Sequence, residues 1–143
     1  DVVMPYTDCF ADAGIDDNGS FVTVFEAGLL NKNEFPYKGG LLYSDPVYFN
    51  KLKDIVKPVN AITLNTVTGS EISKAKWMKK FNPDVETMEG ATFFYICTRE
   101  EIPFLAIRAI SNKVEPRDKS NWEIALALNN LSEKLSEILL TLV

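Results

Sequence analysis

Histidine is absent from all 143 residues. That absence excludes Ser-His and Cys-His nucleophilic catalysis and the usual zinc ligand sets. Any chemistry must run through carboxylates, carboxamides, backbone groups or residues outside this chain. Cysteine is almost as scarce: Cys9 and Cys97 stand far apart, without metal or redox spacing, and read as two reduced core thiols. No apolar run is long enough to span a bilayer and nothing resembles a signal peptide, so a cytoplasmic protein without a membrane partner is expected. Positive charge is in deficit too. The 15 Lys and Arg face 20 Asp and Glu, a net charge of −5, which leaves no excess to neutralise phosphates and argues against a nucleic-acid partner. The Asp-rich stretch between Thr7 and Ser20 lacks the ligand spacing and terminal Glu of an EF-hand.

What is present suffices for one compact domain over 1–143, since 46% of the residues are hydrophobic. The chain opens on an apolar run, Val2-Val3-Met4-Pro5, with no preceding turn, and is expected to start inside a domain. A turn at Asp17-Asn18-Gly19 precedes the apolar run Phe21 to Phe25. Asp45-Pro46 reads as a helix start, with Asp as N-cap and Pro at the first helical position. Residues 59–67 alternate and are rich in β-branched side chains, which predicts a strand. A helix carrying Ile72, Ala75, Trp77, Met78 and Phe81 follows, ended by Asn82-Pro83. Residues 85–88 read as a short strand, 90–99 as a helix and 103–110 as a strongly apolar strand. Ser120 and Glu123 have the spacing of a capping box for a last helix, whose stripe is Leu128, Leu131, Leu135, Ile138, Leu139 and Leu142. Alternation of strands and helices implies an α/β fold with crossover connections.

Two strand ends carry the chemistry. Val85-Glu86-Thr87-Met88-Glu89-Gly90-Ala91 offers carboxylates, and Ile107 through Lys113 offers the Asn112 carboxamide. Ligands of open α/β sheets gather beyond the carboxyl ends of strands, so both segments are expected at one pocket from consecutive strands. The two acceptor oxygens of Glu89 match the two hydroxyls of a vicinal diol, and its charge would favour oxocarbenium character at a breaking glycosidic bond. A carboxylate in a first helical turn is also explained by the helix dipole alone. Met88 would lie against the apolar face of a sugar, although a strand-end Met is more often core. Glu86 shares its strand face and would assist with hydroxyls or pair with a cation. Ser70 reads equally as a plain N-cap, within Thr68-Gly69-Ser70-Glu71 where Gly69 permits close backbone approach. Ile72 is a candidate pocket wall. Phe93-Phe94-Tyr95 reads as core or subunit contact, and Lys113 and Arg117 as solvated cations within reach of an acidic substrate tail.

These segments resemble the purine nucleoside phosphorylase and nucleosidase superfamily. Phe25-Glu26-Ala27-Gly28-Leu29, Val67 through Glu71 and Ser111 through Trp122 bring the resemblance closest to the futalosine hydrolases. The resemblance covers essentially the whole chain and implies a mixed central sheet flanked by helices, nucleoside phosphorylase-like. It also implies that the family's N-terminal strands, with the Glu that activates the attacking water, lie upstream of Asp1. Asp8 and Asp12 are acidic but fall outside the matching motif. Implied further are a small-molecule nucleoside substrate, water as nucleophile, no metal or organic cofactor, and a homo-oligomer. Asn112 stands where 6-aminopurine enzymes of the superfamily have Asp, which implies a 6-oxopurine: the amide would donate to O6 and accept from protonated N7, stabilising departing hypoxanthine. Cleavage of futalosine in a menaquinone pathway is the activity implied. Methylthioadenosine/adenosylhomocysteine nucleosidase, purine nucleoside phosphorylase and a non-catalytic nucleoside-binding fragment are the alternatives.

Overall fold

A computed structural model describes residues 1–116 and 118–142; Arg117 lies outside the described residues. The organising strand is β1 (Val2–Asp8), whose apolar residues are buried along most of its length. Strands covered on both faces read as continuous hydrophobic runs, which Val2-Val3-Met4 does. A hairpin of β2 (Gly14–Asp17) and β3 (Ser20–Thr23) follows, separate from the main sheet. Its two-residue loop is Asn18-Gly19, with positive φ at both positions (51° and 84°), the backbone that closes such hairpins and that Asn-Gly adopts cheaply.

The rest of the chain builds onto β1. Short β4 (Leu42–Tyr43) pairs antiparallel with Thr7 and Asp8. Helix α1 (Pro46–Leu52) starts where the Asp45 side chain accepts from the Val47 N–H. Strand β5 (Lys57–Thr63) runs parallel to β1. Helix α2 (Glu71–Phe81) is capped by Ser70, which accepts from the Ser73 N–H, and ends at Asn82 in the left-handed conformation. Strand β6 (Val85–Thr87) extends the sheet parallel to β5, and α3 (Gly90–Arg99) follows at once. Then β7 (Arg108–Ala109) pairs antiparallel with Val2 and Val3, and α4 (Ile124–Leu142) closes the chain. The result is a mixed sheet in the order β4-β1-β5-β6, with β7 on β1, and helices around it. Among the described residues no helix is long and apolar enough to cross a membrane.

Three buried clusters hold these elements. Leu42, Ala91, Phe94, Cys97, Phe104 and Ala106 join α3 to β4 and the stretch after α3; Met4, Leu52, Val56 and Ile138 join β1, α1 and α4; Cys9, Ala11, Ile62 and Leu64 lie under Trp77 and Phe81 of α2. Both cysteines are free and buried.

Several expectations need correction. The strand expected over 59–67 spans Lys57–Thr63, because the chain leaves the sheet after Thr63. The apolar stretch 103–110 is paired only at Arg108–Ala109. It is apolar because Phe104 and Ala106 enter one cluster while Leu105 and Ile107 pack on another, and two-sided burial does not require a ladder. Ser120 does not cap the last helix. It lies in a 3-10 turn, Lys119–Asn121, where Asp118 accepts from its N–H and hydroxyl, and extended Trp122 delays α4 to Ile124. Of the leucine-rich stripe, Ile138 is buried, whereas Leu128 and Leu139 are about 60% exposed. Phe94 is core, Tyr95 packs on Tyr37 and Phe10, and Phe93 is partly exposed.

Candidate functional site

Strand direction decides what can meet. Both β5 and β6 run parallel to β1, but β7 runs against it. Glu89 and Asn112 therefore leave the sheet from opposite edges, not from the ends of consecutive parallel strands. Helix α3 packs on Leu42 of β4, and residues 104–109 then run back towards Val2.

One cavity of about 460 Å³ still joins the two segments. Glu86 and Thr87 of β6 line it on one side, Arg108, Ser111 and Asn112 on the other, and Trp77 of α2 forms part of its wall. The Glu86 carboxylate accepts the Thr68 N–H at 2.8 Å through Oε1, tying the loop before α2 to β6 and leaving Oε2 for another partner. Asn112 is exposed, but its carboxamide is oriented. Its Oδ1 accepts from Ser111 Oγ at 2.7 Å and its Nδ2 donates to the Lys113 carbonyl at 3.0 Å. A carboxamide has two lone pairs and two N–H groups, so one acceptor position and one donor position remain.

The other expected residues lie elsewhere. Met88 and Glu89 are exposed and outside the lining of that cavity. Glu89 is the N-cap residue of α3 with φ −129° and ψ −10°, and its side chain makes no capping bond, which leaves the carboxylate available. Ser70 caps α2, and Ile72 is 85% exposed; neither lines the cavity. The structure thus brings Glu86 and Asn112 together and keeps Met88, Glu89, Ser70 and Ile72 apart from them. Among the described residues no group of three or more His, Cys, Asp or Glu is placed to hold a metal ion.

The sequence reading missed a buried polar network behind Glu89. Asp8 is fully buried at the end of β1. Its Oδ1 accepts from the Cys9 N–H at 2.8 Å and from Thr63 Oγ1 at 2.9 Å. Thr63 Oγ1 in turn accepts from the Ala91 N–H at 2.7 Å and lies 3.1 Å from Thr87 Oγ1, which accepts from the Gly90 N–H at 3.0 Å. Burial pushes the Asp8 carboxyl up to about 6 against the lowering effects of Thr63, Cys9 and the Arg108 charge. Burial, with the Asp8 charge second, pushes the Cys9 thiol up to about 12, so it is no nucleophile. A carboxylate inside the otherwise apolar run Val2–Cys9 was the available signal; the Asp-rich stretch after it disguised it.

A family model described as Phosphorylase superfamily matches residues 50–143, well over half of the chain. The chain belongs to the phosphorylase superfamily. It is 32% identical over 84 residues to a futalosine hydrolase of Streptomyces coelicolor, a match spanning 57% of this chain and 35% of that protein. It is 31% identical over 78 residues to a futalosine hydrolase of Acidothermus cellulolyticus, spanning 54% of this chain and 32% of the relative. The matched part is about a third of each relative's length. Among solved structures, a 5'-methylthioadenosine/S-adenosylhomocysteine nucleosidase of Helicobacter pylori superposes with a TM-score of 0.74 at 14% identity, covering 97% of this chain and 60% of that one. The futalosine hydrolase of Helicobacter pylori gives 0.69 at 14% identity, covering 99% and 58%. At such identities these superpositions show the superfamily fold and nothing finer.

Proposed function

We propose that this superfamily member serves hydrolysis of the N-glycosidic bond of futalosine, releasing hypoxanthine and dehypoxanthine futalosine in a menaquinone pathway. The observation that carries the reading is the oriented Asn112 carboxamide on the cavity wall, in a chain similar to futalosine hydrolases over about half of its length. Its free N–H suits purine O6 and its free lone pair suits a protonated N7, so hypoxanthine can depart neutral. Adenine would present its amino group to that N–H, donor against donor, which disfavours methylthioadenosine. Glu86, through Oε2, is the carboxylate for sugar hydroxyls inside the cavity, while the exposed Glu89 and Met88, with Ser70 and Ile72, would meet the parts of the nucleoside that extend beyond its lining. Residues 108–112 and 85–89 would then close around the nucleoside from two directions. A cytoplasmic homo-oligomer is the expected form.

The test is purine release in phosphate-free buffer from futalosine and, in parallel, from methylthioadenosine. Hypoxanthine from futalosine alone supports the reading. Adenine release moves the protein to the other nucleosidase branch, and a requirement for phosphate makes it a phosphorylase. Futalosine binding without release leaves a nucleoside-binding role.

A further inference from the structure

The hydrogen bonds behind Glu89 have a fixed direction. An ionised carboxylate accepts only, so the Thr63 hydroxyl must give its proton to Asp8 Oδ1. With that proton committed, the 3.1 Å contact between the two threonine hydroxyls is donated by Thr87 to Thr63. The Gly90 N–H donates to Thr87 Oγ1 and the Ala91 N–H to Thr63 Oγ1. Two of the first N–H groups of α3, which lack partners inside the helix, therefore drain through two hydroxyls into one carboxylate. Asp8 Oδ2 has no hydrogen-bond partner, and a Cβ built on Gly90 would lie 2.1 Å from it. The carboxylate is thus pressed against the first turn of α3, immediately behind the Glu89 N-cap.

We infer that Asp8 is a positioning residue: through Thr63 and Thr87 it fixes Gly90 and Ala91, and so the place of the Glu89 carboxylate relative to a bound nucleoside. The inference deepens the proposed function and rests on it only for the part played by Glu89. Buried unsatisfied carboxylate oxygens are costly, and a fold that needed only a helix cap could place the acceptor at Glu89 itself. Here the cap side chain is unbonded and its role is taken by the Thr87 and Thr63 hydroxyls, the second of which is held in turn by Asp8. That leaves Glu89 free for a ligand while its backbone is held.

The groups facing Asp8 are Cys9 on its own strand end, Thr63 of β5, Thr87 of β6, the N–H groups of α3, and Arg108 of β7 acting through its charge. Because the Asp8 carboxyl ionises at about 6, the network can be watched without any ligand. In ¹H–¹⁵N spectra of the whole chain recorded from pH 4.5 to 7.5, the Gly90 and Ala91 amides should titrate together near pH 6. The same titration should be gone in Asp8→Asn, which keeps the size and one acceptor of the side chain. Amides that stay still in the wild type, or that titrate unchanged in Asp8→Asn, overturn the inference. With futalosine as probe, Asp8→Ala should weaken binding about tenfold and Asp8→Asn less than threefold, since the amide oxygen can still receive Thr63. Equal losses in both variants would also overturn it. A wild-type chain that ignores futalosine sinks the proposed function, while the amide titration still decides the role of Asp8.

Discussion

Glu89 and Asp8 are two carboxylates placed a short distance apart in the fold for opposite uses. Glu89 is exposed and its side chain makes no capping bond, so replacing it with Gln removes the carboxylate without creating a cavity or an orphaned partner. Glu89→Gln should leave the unfolding midpoint unchanged and lower futalosine turnover about tenfold to a hundredfold, the worth of one charge-assisted hydrogen bond. Near-normal turnover would remove Glu89 from the site. Asp8 is buried, and its folded-state carboxyl is raised from 3.8 to about 6. Between those values the folded chain holds a proton that the unfolded chain has released. Its contribution to stability is therefore complete below about pH 4 and is lost as pH rises through 6, by on the order of 3 kcal/mol at most. Denaturant titrations at pH 4.5 and pH 7 should show this decline in the wild type and a smaller one in Asp8→Asn.

At the scale of an element, α3 shows how local propensity is overruled. An alanine in place of an N-terminal helical glycine would ordinarily gain up to about 1 kcal/mol of helix propensity. At Gly90 the added methyl carbon meets Asp8 Oδ2 at 2.1 Å and Thr87 Oγ1 at 2.7 Å; Thr87 Oγ1 is hydrogen-bonded, and the Asp8 carboxylate is buried and anchored through its other oxygen. Crowding of that kind in a packed interior costs about 1–3 kcal/mol, so the clash wins. Gly90→Ala should lower thermal stability, and adding Asp8→Ala should recover part of the loss; additive losses would mean the two positions do not touch in solution. Much of this element was legible in the sequence. The boundaries 90–99 follow from the Glu-Gly start and the apolar residues Phe94 and Cys97 on one face. Its N-terminal partners were not legible, because Asp8 and Thr63 come from strands far away in the chain.

At the scale of the whole molecule, three apolar clusters share the β1–β5 sheet, whereas the hairpin β2–β3 has no buried residue and joins no main-sheet strand. Phe94 of α3, packed against Phe104, is the largest of the fully buried side chains. Phe94→Ala should cost about 3–5 kcal/mol in a denaturant titration. Hydrogen exchange should then quicken in β1 and β5 as well as α3, because these strands open as one unit. The Gly14–Thr23 hairpin amides should exchange faster than either and be unmoved by the substitution. Equal exchange in hairpin and core would refute the division.

The chain order of strands and helices, the Asn18-Gly19 turn, the Asp45 and Ser70 caps and the superfamily itself were determined by sequence, because each depends on residues adjacent along the chain or on short motifs. Tertiary structure decided the rest. It set β7 against β1 and so placed Asn112 opposite Glu86 rather than beside Glu89, and it left Ile72 in solvent. It also delivered Asp8 to the start of α3. Strand direction and burial depend on which distant segments pack together, and no local pattern carries that information.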